Sequence, residues 1–427
     1  MKSEKNIQQI LKEVLGRVNP PAEDISRISI SLSEFKKKVS KKIKSGKIKA
    51  DIFVGGSYAK KTLIKKDHYD IDIFMRFSEK EENISEKTEK LLEDFSCERI
   101  HGSRDYFRIK AGEGVFLEVV PVKKATKPEN AENITDLSYF HVRYVNGKIK
   151  SKKILEGIMT AKAFCYANGT YGAESYIQGF SGYALELLVL YYKGFVNFLK
   201  AVSKAGEKQK IIVDIEKLYK NRGQAVLDIN SSKLHSPIIL IDPTYKQRNA
   251  LAALSSETYG KFRKAAKEFL KKPSITAFER KKTDLPKIKM DAQKKKQGFI
   301  LLEAETNRQE GDIAGSKLLK FYRHLNQEIS RFFDVKNAGF NYNKDKTARY
   351  YFVVESKGKI ILNGPRLDDK KNLIRFRKKH KNVFTNKKRV YAREEVKFSI
   401  KQFIEGWKKK NHEKMPEMGI NALKSVS

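Results

Sequence analysis

Apolar residues recur at helical spacing over 1–18, where Ile7, Ile10, Leu11, Val14 and Leu15 share one face. Asn19-Pro20-Pro21 closes that run. A second helix is predicted over 24–45, ending in the basic run KKKVSKKIKSGK. The period then changes. Asp51-Ile52-Phe53-Val54 is a short apolar run halted by Gly55-Gly56, so it reads as a strand entering a glycine turn, with a short helix over 57–66 behind it. The segment 70–77 (DIDIFMRF) alternates with period two and predicts a strand, and 115–122 (VFLEVVPV) predicts another. From about residue 151 the texture is helical, with apolar residues at helical spacing over 151–168 and 182–202. A strand over 237–241 leads into Asp242-Pro243, and a helix is predicted over 246–272. The Lys-rich stretch that follows, punctuated by Pro273 and Pro286, reads in part as an exposed linker. A strand over 298–304 restarts the pattern. The next helix carries Leu318, Leu319, Tyr322, Leu325, Ile329, Phe332 and Phe333 on one stripe. Strands over 349–355 and 359–362 and helices over 369–379 and 394–408 complete an α+β order without a solenoid repeat.

Composition narrows the class. Hydrophobic residues make up 40% of the 427, enough for packed cores, so a disordered chain is excluded. The length suggests about two to four domains. Lys and Arg number 89 against 51 Asp and Glu, a net charge of +38. Such a surface seeks a polyanion, and 11% aromatic residues favour nucleic acid, whose bases stack on Tyr and Phe. A Lys-rich proteome from an A/T-rich genome or a hot habitat is the competing explanation. Cys97 and Cys165 are distant in sequence and form no CxxC or Cys/His cluster, which points away from a disulfide framework and from zinc. The charged amphipathic start is unlike a signal peptide, and 183–199 contains Glu186 and Lys193, so it reads as a buried helix rather than a membrane span. These features predict a cytoplasmic protein.

The candidate chemistry lies in FVGGSYAKKT, residues 53–62, followed by Asp70-Ile71-Asp72. Glycines leave backbone N–H groups open to an anion, Ser57 begins a helix, and Lys60 sits one turn on, within reach of a phosphate. The Walker pattern GxxxxGK[ST] is absent. Asp70 and Asp72, two apart on a strand, share a face, and Ile71 and Ile73 fill a core on the other. Two like charges on one face call for a cation, and Mg²⁺ suits hard carboxylate oxygens and phosphates together. Glu118, flanked by apolar neighbours in 115–122, is the natural third ligand. Each feature alone is more often an ordinary turn or surface, and Glu118 alone could pair with a Lys; it is their order that points to a site.

The GGSYAKKT and DIDIF blocks resemble the signature of the DNA polymerase β-like nucleotidyltransferases, and more closely the archaeal-type (class I) CCA-adding enzymes, the tRNA nucleotidyltransferases. The similarity continues in Glu118-Val119-Val120-Pro121, in 162–174, in GFSGY at 179–183, in Asp242-Pro243 with Arg248-Asn249, and in Asn363-Gly364-Pro365. It runs from about residue 5 to 410 and is weakest over 273–345. The resemblance implies that Asp70, Asp72 and Glu118 hold two Mg²⁺ ions. It also implies that Ser57, Lys60, Lys162 and Tyr171 contact the triphosphate beside Gly56 of the nucleotide site, that His141 lies in the nucleotide pocket, and that Arg248 helps recognise the base or the backbone near it. Glu118 stands where the family usually has Asp, and Lys60 where it usually has Arg. Read from the residues alone, His141 in YFHVRY could sit on an ordinary strand or turn, Tyr171 could simply pack, Lys162 could be solvated, and Ser181 reads as a helix cap.

The implied architecture is α+β and multidomain: a catalytic head over 1–145, a helical central domain over 146–275 and an α+β RNA-binding body over 276–427. The implied reaction adds C, C and A to the 3′ end of tRNA from CTP and ATP, without a nucleic-acid template, and releases pyrophosphate. Basic runs at 294–296, 375–381 and 387–389 would hold RNA phosphates. A poly(A) polymerase or an oligoadenylate synthase would share the core motifs, as would an inactive RNA-binding protein. Monomer and homodimer are both left open.

Overall fold

In the computed structural model, residues 2–102, 104–206, 209–280 and 283–426 are described, with the side chains of residues 2 and 3 excepted. The chain divides into two compact units, Met1–Lys281 and Lys282–Ser427. The boundary falls inside the Lys-rich stretch that the sequence marks as a linker.

The first unit opens with helices α1 (Lys2–Val18) and α2 (Ala22–Ser45). Strand β1 (Ala50–Val54) runs into the one-turn helix α3 (Gly56–Ala59), followed by β2 (Tyr69–Phe77), α4 (Ile84–Leu91), β3 (Cys97–Ile100), β4 (Tyr106–Gly112) and β5 (Val115–Lys123). These strands form one mixed sheet in the order β1-β2-β5-β4-β3, with β2 and β5 parallel and the other pairs antiparallel. One face is covered by α2 and α4: Ile71, Ile73, Leu117 and Val119 point into that core with Phe35 and Leu92, all essentially without solvent exposure. The period-two alternation therefore leaves Asp70, Asp72 and Glu118 on the opposite face.

A second core is helical. It is built from α5 (Ser138–Lys148), α6 (Lys152–Ala167), α7 (Gly182–Tyr191), α8 (Phe195–Lys204) and a later helix, Ser256–Lys271, and α1 contributes Ile7, Ile10 and Val14 to it. Phe164 is its aromatic centre, with Phe195, Phe262, Phe269 and Phe278 around it at centroid distances of 5.5–6.0 Å. The single helix predicted over 182–202 is two helices, because Lys193 and Gly194 both have positive φ and turn the chain between α7 and α8. The helix predicted over 246–272 starts late. Its first residues form β8 (Tyr245–Asn249), which with β6 (Ile211–Val213) and β7 (Ile238–Asp242) makes a small three-stranded sheet. Between β6 and β7 lies the short helix α9 (Arg222–Asp228), and Ser256–Lys271 is α10.

Ser181 caps α7, accepting a hydrogen bond from the backbone N–H of Ala184 at 3.2 Å. Replacing it by alanine leaves that donor unsatisfied and is expected to cost about 1 kcal/mol, read as a lowered urea midpoint with an unchanged slope.

The second unit begins with α11 (Leu285–Lys294), where the sequence suggests loop. Strand β9 (Gly298–Glu305), α12 (Asp312–Ser330), β10 (Phe333–Tyr342), β11 (Thr347–Ser356), β12 (Lys359–Arg366), α13 (Lys370–Lys379), β13 (Val383–Asn386), β14 (Arg389–Glu395), α14 (Ile400–Lys410), the one-turn α15 (Lys414–Glu417) and β15 (Ala422–Val426) follow. A four-stranded sheet, β10-β11-β9-β15, packs its apolar face on α12 and α14, and a three-stranded sheet, β12-β14-β13, carries α13. Phe333 does not extend the α12 stripe; it opens β10 and is buried there. The predicted closing helix over 394–408 is shorter, because its first residues end β14. Helix α13 (KKNLIRFRKK) buries none of its residues and holds its charges in solvent.

Candidate active site

The carboxylate face of the first sheet is set by register. Asp72 on β2 lies beside Glu118 on β5, and Asp70 beside Phe116. On the far side of β5, Arg108 of β4 is opposite Glu118. The Arg108 guanidinium lies 4.2 Å from the Phe116 ring centroid and reaches across it to Asp70 Oδ1 at 3.3 Å. Like charges repel, so Asp70 turns to this arginine. Among the described residues no three His, Cys, Asp or Glu side chains converge into a ready metal group. The structure thus brings Asp72 and Glu118 side by side and places Asp70 two residues along the same face, held by Arg108.

The glycine turn sits directly against Asp72. The Gly55 N–H donates to the Asp72 carbonyl at 2.9 Å, and Gly56 has φ +60°. A β-carbon on Gly56 would fall 1.6 Å from Asp72 Oδ2, so only glycine lets the turn approach this carboxylate. No side chain of another described residue is hydrogen-bonded or ion-paired to the Asp72 carboxylate, which is within reach of its own backbone N–H. Burial pushes its pKa up, Lys60 opposes that, and the nearby charge of Asp70 adds to it. Asp72 and Glu118 offer carboxylate oxygens of the kind a hard divalent cation takes, while Asp70 is held by Arg108 and does not converge with them. Ser57 lies half-buried in the first turn of α3, and its carbonyl accepts from the Thr62 N–H at 2.9 Å. That helix is a single turn, shorter than predicted.

Lys60 and Lys162 meet at one acid. Lys60 Nζ donates to Glu186 Oε2 at 2.6 Å; Lys162 Nζ donates to Glu186 Oε1 at 3.2 Å and to Thr62 Oγ1 at 2.8 Å. Glu186 is completely buried on α7, and both lysines are buried with it. Lys162, which could have been solvated, is therefore an interior residue. Burial lowers its pKa to about 8, against the opposing pull of Glu186. Burial would raise the Glu186 pKa, but the two lysines and the Thr62 hydroxyl bring it below its ordinary value. The Tyr171 ring stacks on Tyr166 at 4.1 Å, and its hydroxyl lies beside Gly182, where a β-carbon would come within 2.9 Å of it. Lys66 Nζ is 5.2 Å from the Tyr166 ring.

His141 lies on helix α5, neither a strand nor a turn, and is buried. It stacks on Tyr183 at 4.0 Å, and its Nε2 is 3.1 Å from Asp242 Oδ2. Asp242 is a fully buried hub: Arg248 Nη1 donates to Oδ2 at 2.5 Å, and the Tyr183 hydroxyl donates to Oδ1 at 2.9 Å. The Thr244 N–H and hydroxyl also donate to Oδ1. Burial alone would raise its pKa, but His141 and Arg248 hold it well below the usual carboxylate range. Burial lowers the His141 pKa, with Asp242 opposing and Arg248 and Lys60 assisting. Asn249 locks the β7–β8 turn, accepting from the N–H groups of Leu240 and Leu251. Lys60 Nζ lies 5.8 Å from the Tyr183 ring, which links the lysine pair to the cluster of His141, Tyr183, Asp242 and Arg248. Sequence reading missed Thr62, Lys66, Arg108 and Glu186; of these only Glu186, a lone acid in the apolar run GYALELLVLY, carries a local signal.

A model of the nucleotidyltransferase domain family matches residues 32–151, and a model of the family described as tRNA nucleotidyltransferase, second domain, matches residues 156–279. The CCA-adding enzyme of Methanocaldococcus jannaschii is 28% identical over 92% of this chain and 88% of its own length. The chain is thus similar to nucleotidyltransferase domains over 32–151 and 156–279, and to archaeal CCA-adding enzymes along most of its length. The CCA-adding enzyme of Nanoarchaeum equitans is 45% identical over 49% of this chain, an alignment that spans 52% of that relative, about half its length. Among solved structures, a cytoplasmic RNA terminal U-transferase superposes with a TM-score of 0.52 at 12% identity, over 65% of this chain and 99% of that one. A poly(U) polymerase bound to a UTP analogue gives 0.52 over 66% and 100%. At such identity these two superpositions speak to the fold alone, which is that of a nucleotidyltransferase. No helix among the described residues is long and apolar enough to cross a membrane.

Proposed function

We propose that this protein adds C, C and A to the 3′ end of tRNA from CTP and ATP, releasing pyrophosphate, in the cytoplasm. The observation that carries the reading is the Gly56 turn pressed against the Asp72 carboxylate, with Glu118 in register beside it. Asp70, Asp72 and Glu118 would hold Mg²⁺. The bound ions would neutralise phosphate charge and lower the pKa of the RNA 3′-hydroxyl. The protein's own groups do the rest. The Gly56-Ser57 turn offers backbone and hydroxyl donors to the triphosphate. Lys60 and Lys162 supply the positive charge that a pentacoordinate phosphorus and a departing pyrophosphate demand. Tyr171 closes the phosphate end, and His141, Tyr183 and Arg248 form a stacked, hydrogen-bonding wall for the base. Holding triphosphate and hydroxyl in one orientation supplies most of the rate gain.

In this reading the residues over 1–145 perform the chemistry, those over 146–275 close the nucleotide pocket, and those over 276–427 grip RNA. The exposed basic helix α13 (Lys370–Lys379) suits phosphate contact, with affinity that falls steeply as salt rises. Recognition falls on the helical top half of tRNA by shape rather than sequence.

The test is incubation of tRNA lacking its CCA end with labelled CTP, then ATP, in the presence of Mg²⁺. Wild type is expected to incorporate both in order, and Asp72→Ala neither. Use of ATP alone would favour a poly(A) polymerase, and no incorporation at all would leave an RNA-binding protein.

A further inference from the structure

We infer that Glu186 is the positioning residue of the nucleotide site, fixing the ammonium groups of Lys60 and Lys162 at a set separation for the triphosphate. The inference rests on the nucleotidyltransferase reading above. Its warrant is geometric. Glu186 is 126 residues from Lys60 and 24 from Lys162, yet its two oxygens take one lysine each, and the Thr62 hydroxyl donates to the oxygen that Lys162 uses. Both Glu186 oxygens are taken up by Lys60, Lys162 and Thr62, so it acts on substrate only through them. Burying two cations and one anion in place of apolar side chains is an expensive way to make a core. The arrangement leaves one positive charge in excess, next to the Asp72 carboxylate whose ionisation both lysines favour. The lysines stay aligned because a carboxylate accepts from both at once, through separate oxygens. An amide keeps one acceptor oxygen and turns an N–H2 donor towards the other lysine, so it cannot hold the two at separate oxygens.

Glu186 also governs how long Lys162 keeps its proton. Facing Lys162 are Glu186 on α7, Lys60 and Thr62 after α3, Lys66 on the same loop, and the Tyr171 hydroxyl across Gly182. Glu186 and the Thr62 oxygens hold the proton on, with the Asp72 charge assisting, and Lys60 and Lys66 push it off.

The experiment compares wild type, Glu186→Gln and Glu186→Asp for binding of a fluorescent non-hydrolysable CTP analogue, for KM of CTP and of tRNA, and for thermal unfolding. Glu186→Gln is expected to weaken nucleotide binding about tenfold, the scale of a single charge-assisted hydrogen bond. Its KM for tRNA should stay within about twofold. Nucleotide affinity of wild type should fall as pH rises through about 8, and in Glu186→Gln the fall should begin at lower pH. Glu186→Asp keeps the charge but shortens the reach, and should give an intermediate loss; it carries the test alone if Glu186→Gln does not fold. Unchanged nucleotide affinity in the folded variants overturns the inference. So does a rise in both KM values together, which marks a merely structural acid. Failure of wild type to incorporate any nucleotide would instead sink the activity reading, and the binding measurement would still report on Glu186.

Discussion

Replacing Gly56 with alanine is expected to lower CTP incorporation by about a thousandfold or more while the protein stays folded. The β-carbon would sit 1.6 Å from Asp72 Oδ2 and 2.6 Å from its carboxyl carbon, far inside contact distance. Either the turn retreats or Asp72 swings off the shared face; both separate the phosphate cradle from the acid that opposes it. The cost to stability is smaller. A non-glycine residue at φ +60° is strained by roughly 1–2 kcal/mol, and Asp72, half-buried and without a side-chain partner, can rotate towards solvent. Single-turnover incorporation measured beside a thermal melt separates the two effects. A Gly56→Ala protein with full turnover would show that the closeness of this turn to Asp72 is irrelevant to the chemistry. Gly55→Ala makes the contrast. Its β-carbon would come 2.3 Å from the buried Phe74 ring, so that change should reduce stability as well as rate.

The sheet face was legible because alternation on a strand is local: Ile71 and Ile73 are completely buried, and Asp70 and Asp72 lie opposite. The cap at Ser181 was legible for the same reason. Elements failed where the deciding contact lay elsewhere in the chain. Residues 182–202 hold an unbroken apolar pattern, yet positive φ at Lys193 splits them, and nothing about a lysine announces that conformation. Strands β3 (CERI) and β4 (YFRIKAG) mix charge with apolar residues and are strands because β5 pairs with β4 and β4 with β3. Likewise β8 (YKQRN) has no strand signature of its own and is held by β7. Among site residues, Lys60 and Lys162 could be singled out by motif; Glu186 shows locally only as a lone acid in an apolar run, and its pairing with Lys60, 126 residues away, leaves no periodicity. Arg108 was invisible in the same way: only the register of β4 on β5 places it over Phe116 and against Asp70.

Asp242→Ala should destabilise the first unit by about 3 kcal/mol and also abolish the nucleotide wall. The carboxylate is fully buried and gathers five donors from four residues: His141, Tyr183, Thr244 and Arg248. Its removal strands the Arg248 charge and a buried imidazole. Arg248 keeps 21% of its side chain exposed and can turn outward, which holds the loss at the lower end of the range for a broken buried pair. The pH dependence distinguishes this account from simple cavity formation. The folded-state pKa of Asp242 is depressed, so its stabilising share is complete above the ordinary carboxylate value of about 4 and is lost as pH falls through the lower folded value. His141 acts in the same direction but at higher pH. Its folded pKa is lowered by burial, so below about 6.5 the unfolded chain binds the proton more readily and stability falls with pH. In the variant His141 has lost its favourable carboxylate and still faces Arg248 and Lys60, so that fall is steeper. The stability gap between wild type and variant, measured by urea unfolding, should therefore widen from pH 7 to about 5 and narrow below about 4. A gap that is flat across this range would mean that Asp242 contributes volume alone, and that the ion pairs drawn to it do not hold the wall in place.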